Sequence, residues 1–104
     1  MNEPLKIRAT LAAGETTVRV LVPHVMESGN RKDPAGRFIP AHHITDLQVT
    51  HNGRTVLQAD LGPSVSRDPL LAFRFKGGQA GDRIRVEWRD NRGASGAGEA
   101  AILG

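Results

Sequence analysis

The sequence predicts an all-β domain, an antiparallel β-sandwich of about seven strands that takes in residues 1–104 as one unit. Three observations carry this expectation. Apolar and polar residues alternate along most of the chain, the period of a half-buried strand. Turn signals recur about every 8–12 residues, the spacing of sandwiches and barrels. The one long irregular stretch, Pro23 to Ala41, has no helical stripe of useful length. A small barrel of the oligonucleotide/oligosaccharide-binding type is the rival architecture.

Leu5, Ile7, Ala9 and Leu11 alternate with Lys6, Arg8 and Thr10 in the first strand, which ends at the turn Ala13-Gly14-Glu15. Thr17 to Val22 forms the second. Val18, Val20 and Val22 share one side and Leu21 takes the other, which predicts a second covered face there. After the irregular stretch, Ile44, Leu47 and Val49 start a strand that ends at His51-Asn52-Gly53-Arg54. Asn-Gly is the strongest short hairpin signal, because both central residues must accept positive φ. Val56 to Leu61 is the returning strand, and Ser64 to Pro69 is loop. Leu71, Phe73 and Phe75 form the next strand, and Ile84, Val86 and Trp88 the one after it. The glycine-rich Lys76 to Asp82 between them reads as a hairpin turn, since a phosphate cradle would need a helix N-terminus after it. Asp90-Asn91-Arg92-Gly93 is a further turn, and Ser95 to Leu103 a last strand of small residues.

At 104 residues and 11.2 kDa there is room for one domain. The 38% apolar and 24% charged content is a globular balance, neither disordered nor membranous. Cysteine is absent, which excludes disulfides, thiolate metal sites and a cysteine nucleophile carried by this chain. No apolar run approaches the ~18 residues of a membrane span. The opening stretch Met1 to Ala9 has no apolar signal core, so export would need a carrier. Net charge is +3, a weak pointer to acidic partners or anionic cargo.

Several groups of residues are candidates for function. The stretch from His24 to His42 is long for a structureless loop in a compact domain, and such loops are often functional. It mixes Met26, Phe38, Ile39 and Pro40 with Glu27, Arg31, Lys32 and Asp33. A partner-contact surface is the favoured reading, and a plain crossover between sheets is the other. A metal site drawn from His24, His42, His43, Glu27 and Asp33 is disfavoured. Adjacent His42 and His43 point to opposite faces when extended, and no helix-borne ligand spacing occurs. Gly62-Pro63-Ser64 is not a nucleophile elbow, and no catalytic residue is expected. Arg74, Lys76, Arg83, Arg85 and Arg89, relieved by Glu87, make a basic face that could attract anions. A solvated face that blunts edge pairing is its plainer reading. Nucleic acid is not expected, because Phe73, Phe75 and Trp88 take the opposite parity and leave that face without stacking platforms.

The stretch His24 to Ile44 resembles the signature loop of the SoxZ family of bacterial sulfur oxidation. The resemblance rests on His24, Met26-Glu27, Gly29, Arg31-Lys32-Asp33, Gly36, Ile39-Pro40-Ala41-His42 and Ile44. Asn52-Gly53, Gly62-Pro63, Ser66, Phe73, Phe75 to Gly78, Ala80-Gly81-Asp82, Trp88, Asp90-Asn91 and Gly93 extend it over nearly the whole chain. Val25, Ser28 and His43 depart from the family's usual Pro, Thr and Phe.

The resemblance implies an immunoglobulin-like sandwich that pairs with SoxY as a heterodimer. SoxY's cysteine-bearing glycine arm would hold the sulfur cargo during thiosulfate oxidation, with other Sox enzymes visiting in turn. This chain would then be a non-catalytic, cofactor-free subunit, periplasmic and co-exported with its signal-bearing partner. It also leaves open a homodimer of the isolated chain. Two readings from other classes stand beside it: an anion- or nucleic-acid-binding barrel using the arginine-rich face, and a self-associating adhesive sandwich.

Overall fold

Two tight turns frame the fold. Strands β1 (Lys6–Ala12) and β2 (Glu15–Leu21) are joined by Ala13-Gly14, with φ of 52° and 77°. Strands β3 (Ile44–His51) and β4 (Arg54–Asp60) are joined by Asn52-Gly53, with φ of 48° and 86°. Paired positive φ values make type I′ turns, whose twist matches that of the flanking strands. The chain continues through β5 (Leu70–Lys76), β6 (Arg83–Asp90) and β7 (Ser95–Leu103). This computed structural model describes residues 4–104; the first three residues of the opening stretch read for an export signal lie outside the described residues. Among the described residues there is no helix.

The seven strands form one mixed sheet in the order β4-β3-β6-β7-β1-β2-β5. Every pairing is antiparallel except β1 with β7, which run parallel through Ala9↔Ile102 and Thr10↔Leu103. That short parallel seam divides the sheet into two wings, β4-β3-β6-β7 and β1-β2-β5. The wings enclose one core, as in an immunoglobulin-like sandwich. Val18, Val20 and Val22 from one wing and Ile44, Leu47, Val49, Ile84 and Val86 from the other are all fully buried in one cluster. The expected all-antiparallel sandwich is corrected only at the β1–β7 seam.

A second correction concerns Lys76 to Asp82. It is not a hairpin turn. β5 pairs with β2, and β6 pairs with β3 and β7, so this segment crosses from one wing to the other. Alternation marks each strand's inner face but does not say which strands pair, and the neighbouring glycines imitate a hairpin. The crossing is anchored by Gly77 N–H donating to Gly14 O (2.8 Å) and Gly81 N–H to Ile102 O (2.8 Å). Thr16, buried, donates its hydroxyl to Gly77 O at 2.8 Å.

Trp88, 3% exposed, shows how the small residues of β7 serve the core. Its register partner is Gly96, and its indole lies flat across that glycine. A Cβ on Gly96 would stand 2.6 Å from Trp88 Cε2 and 2.8 Å from Cζ2. Gly96→Ala is therefore expected to destabilise the fold by about 1–3 kcal/mol through overpacking. Trp88 is the single tryptophan, so its emission in a urea titration reads the change directly.

Candidate functional site

The connection between β2 and β3 is an ordered ribbon. Glu27 and His42 form a two-way backbone bridge, N–H to O at 2.7 and 2.8 Å. Lys32 and Phe38 form a second bridge nearer the tip. Asp33 builds the tip itself. Its Oδ1 accepts from Ala35 N–H (2.9 Å) and Arg37 N–H (3.0 Å), and its carbonyl from Gly36 N–H (3.0 Å). Pro34 presets the turn and Gly36 supplies φ +80°. Arg31 is ion-paired to Glu27, and its hydrogen bond holds the Glu27 carboxyl below the usual range. Lys32 Nζ lies 5.0 Å from the centre of the Phe38 ring.

The base of the ribbon is tied to the end of β6 by one carboxylate. Asp90, its side chain 1% exposed, accepts four hydrogen bonds. Oδ2 takes His24 Nε2–H at 3.1 Å and His42 Nε2–H at 2.9 Å. Oδ1 takes Arg92 N–H and Ala94 N–H, each at 2.9 Å. Burial alone would push this carboxyl up. The donors from His24, Ala94, Arg92 and His42 outweigh burial and bring it down to about 2. His24 and His42 thus clamp the two ends of the ribbon onto one ionised group. Asn91 adds to the clamp, accepting His43 N–H at 2.8 Å and donating to Ala41 O at 3.0 Å. Arg92 Nε–H reaches Ala41 O at 3.3 Å.

Three donor atoms of His24, His42 and Asp90 lie within 4.8 Å of one another, close enough to suggest a cation site. The proton arrangement opposes that use. His24 Nδ1 accepts Met26 N–H at 3.1 Å, so the proton of its neutral ring sits on Nε2, where a cation would have to bind. An ionised Asp90 likewise requires His42 Nε2 to donate. The three residues act as a polar latch with its hydrogen bonds already made. Of the other metal candidates, Glu27 is paired with Arg31, Asp33 is used in the turn, and His43 stands apart with a buried, unpartnered Nδ1.

Met26 needs a correction. Expected on the contact surface, it is 7% exposed; its Sδ accepts Ile44 N–H at 3.3 Å. With φ at 51°, it turns inward and fills the core beneath the ribbon. Ile39 and His42 are half-buried, and Pro40 is exposed. The ribbon's exposed large apolar groups are Phe38, 63% exposed, and Val25, 46%. A recess of about 520 Å³ is lined by Val25, Glu27, Arg31 and Arg67.

The basic face is also redistributed. Arg74 and Lys76 lie on β5 and Arg83, Arg85 and Arg89 on β6, in opposite wings, so the five do not form one surface. The β6 arginines are neutralised. Arg83 and Arg85 pair with Glu99 at 3.1 and 3.4 Å, Arg85 also with Glu87 at 2.8 Å, and Arg89 with Asp46 at 3.0 Å. The grouping failed for the same reason as the hairpin: β5 and β6 are not neighbours.

In the sequence, Asp90, Asn91 and Arg92 read as a turn, and Asp90-Asn91 as part of the family resemblance, with no role in the site. A signal for Asp90 was present. It continues the parity of Ile84, Val86 and Trp88, which makes it an inward-facing acid in need of partners.

Residues 6–101 match the family described as sulphur oxidation protein SoxZ. The chain belongs to the SoxZ family. The match takes in all of the ribbon and the Asp90 latch. Among solved structures the fold is similar to the superoxide reductase (neelaredoxin) from Archaeoglobus fulgidus in the reduced form. That pair has a TM-score of 0.66 and 20% identity, covering 99% of this chain and 91% of the other. The superoxide reductase (neelaredoxin) from Ignicoccus hospitalis gives a TM-score of 0.62 at 18% identity, over 98% and 80%. At such identity the likeness concerns the fold alone. No curated protein matches the chain.

Replacing Asp90 by Asn should destabilise the protein by about 2–3 kcal/mol, since an amide nitrogen would face histidine donors in a buried site. The pH dependence has a definite sign. The folded Asp90 carboxyl titrates at about 2, below its ordinary 3.8. Its contribution is therefore complete above about pH 4 and disappears as pH falls through about 2. Urea titrations across that window should show the wild type losing stability that Asp90→Asn has already lost.

Proposed function

We propose that this chain is the non-catalytic subunit of a SoxYZ heterodimer, the body against which a SoxY cysteine arm presents bound sulfur during thiosulfate oxidation. The supporting observation is a SoxZ-family sequence over residues 6–101 that contains no cysteine. A chain without thiols cannot hold sulfur as an S-thiosulfonate or persulfide adduct, so the covalent chemistry falls to a companion. The chain reaches the periplasm folded with that companion and carries no cofactor. Other Sox enzymes meet the pair transiently.

The ribbon is the contact surface in this reading. Its two cross-bridges and the Asp90 latch hold it in one shape before binding, which lowers the ordering cost of association. Exposed Phe38 and Val25 supply apolar contact, and Arg31, Lys32 and Glu27 the polar rim around it. An exposed aromatic is a common binding anchor.

The test is association with SoxY measured by calorimetry. Phe38→Asp and Val25→Asp should each weaken binding at least tenfold, about 1.4 kcal/mol, while thermal melting stays unchanged. Met26→Asp should instead unfold the protein, because it places an unpaired charge in the core. Wild-type affinity in both surface variants would move the interface off the ribbon. Turnover of thiosulfate by the purified chain alone would end the subunit reading.

A further inference from the structure

The sheet has two free edges, β4 and β5, and they differ. The pairing of β4 with β3 is broken by a register shift between Val49 and Thr50, a device that bends an edge away from further pairing. β5 pairs with β2 through seven consecutive residues without a shift, and its other side has no neighbour among the described residues. It is a straight, regular template.

Both faces of β5 are unfinished. Leu71, Phe73 and Phe75 point towards the core yet remain only partly buried. Leu70, Ala72, Arg74 and Lys76 point outward, apolar at one end and cationic at the other. Leu70 is 65% exposed. Beside it, Lys6, Ile7, Arg8, Arg19, Leu21 and Leu70 line an open depression of about 250 Å³. Leu21 predicted a covered second face; Leu21 is half-buried, while its neighbour Leu70 stands open beside the depression.

The charge on this face exceeds what edge protection requires. Lys6, Arg8 and Arg19 sit on β1 and β2, which are not edges. Arg8 stands directly opposite Arg19 in the register, an arrangement that costs stability. Glu15, opposite Lys76, is the one acid on the outward face of β1, β2 and β5. None of the five cations has a carboxylate within ion-pair distance among the described residues, in contrast to the neutralised arginines of β6. A local rule broken without internal compensation points to a partner.

We infer that the free edge of β5 is a strand-addition site for an extended acidic segment of another protein. Run antiparallel to β5, the segment sets carboxylates beside Lys76 and Arg74 and apolar side chains beside Ala72 and Leu70. Outward residues on β5 recur about every 6.6–6.8 Å, the spacing of alternate side chains on any extended chain, so the match needs no adjustment. The segment's inward residues extend the core over Leu71, Phe73 and Phe75. Main-chain hydrogen bonds supply affinity and the graded outward row supplies direction. The surrounding cations raise the association rate. A second copy of the chain is a poor occupant, because like cationic faces would meet. Single-stranded nucleic acid is disfavoured by the lack of an aromatic on the outward row. The inference is independent of the SoxY reading, since it names the chemistry of the segment and not the chain that supplies it.

The probe is a capped seven-residue peptide with glutamate first and third, leucine fifth and seventh, and threonine between. Titrated into the isotope-labelled chain, it should shift β5 amides and slow their hydrogen exchange, with binding that weakens as salt rises. Arg74→Glu with Lys76→Glu should weaken it at least about tenfold and leave the melting temperature unchanged. The same peptide with lysine for glutamate should not bind. Equal binding of the lysine peptide, undisturbed β5 amides, or preferential binding of oligo-dT or of phosphatidylglycerol vesicles at this face would each overturn the proposal.

Discussion

The architecture depends on one buried carboxylate. Asp90 ends β6, and its two oxygens divide the work: one closes the β6–β7 turn through Arg92 and Ala94 N–H, and the other holds His24 and His42. Those histidines are the first and last residues of the ribbon. A single ionised group therefore fixes both the turn and the two ends of the connection from β2 to β3. Desolvating a carboxylate is costly, and four donors are what make the charged form the stable one. The cost also makes the arrangement selective.

From that anchor the ribbon gains shape without regular structure. Met26 is driven inward under it, and the Glu27–His42 and Lys32–Phe38 bridges keep its strands aligned. What then remains outside is Phe38, Val25 and a border of charges. Polar chemistry at the base thus leaves Val25 near the base and Phe38 nearer the tip exposed. The His24–Asp90–His42 group resembles a ligand set only if protons are ignored. Met26 N–H on His24 Nδ1 identifies it as a structural element.

Much of this was legible in the sequence, and the losses share a cause. Strand faces followed from alternation: Val18, Val20, Ile84, Val86 and Trp88 are buried as their parity requires. The Asn52-Gly53 hairpin followed from backbone chemistry. Pairing between distant strands did not follow, because alternation is a property of each strand alone. So Lys76 to Asp82 passed for a hairpin, and Arg74 was grouped with Arg83 and Arg85. In the candidate site the extent of the ribbon was readable from its prolines, glycines and charges. The inward turn of Met26 was not, since a positive φ at a methionine has no local sequence signal. Asp90 was readable by parity but needed the histidines, 48 and 66 positions away, to explain it.

The redistribution of charge carries the broader consequence. On β6 every arginine of the expected basic face meets a carboxylate on its own strand or a neighbouring one, and that face is electrically quiet. On β1, β2 and β5 the cations face solvent beside a regular free edge. A protein selected only for solubility would spread its charges or pair them. Five cations without a carboxylate partner among the described residues gather on the face of β1, β2 and β5, while those of β6 are paired, and this divides the molecule into a latched ribbon at one site and an open template at another. Under the two proposals, ribbon and edge would let so small a body engage more than one other chain.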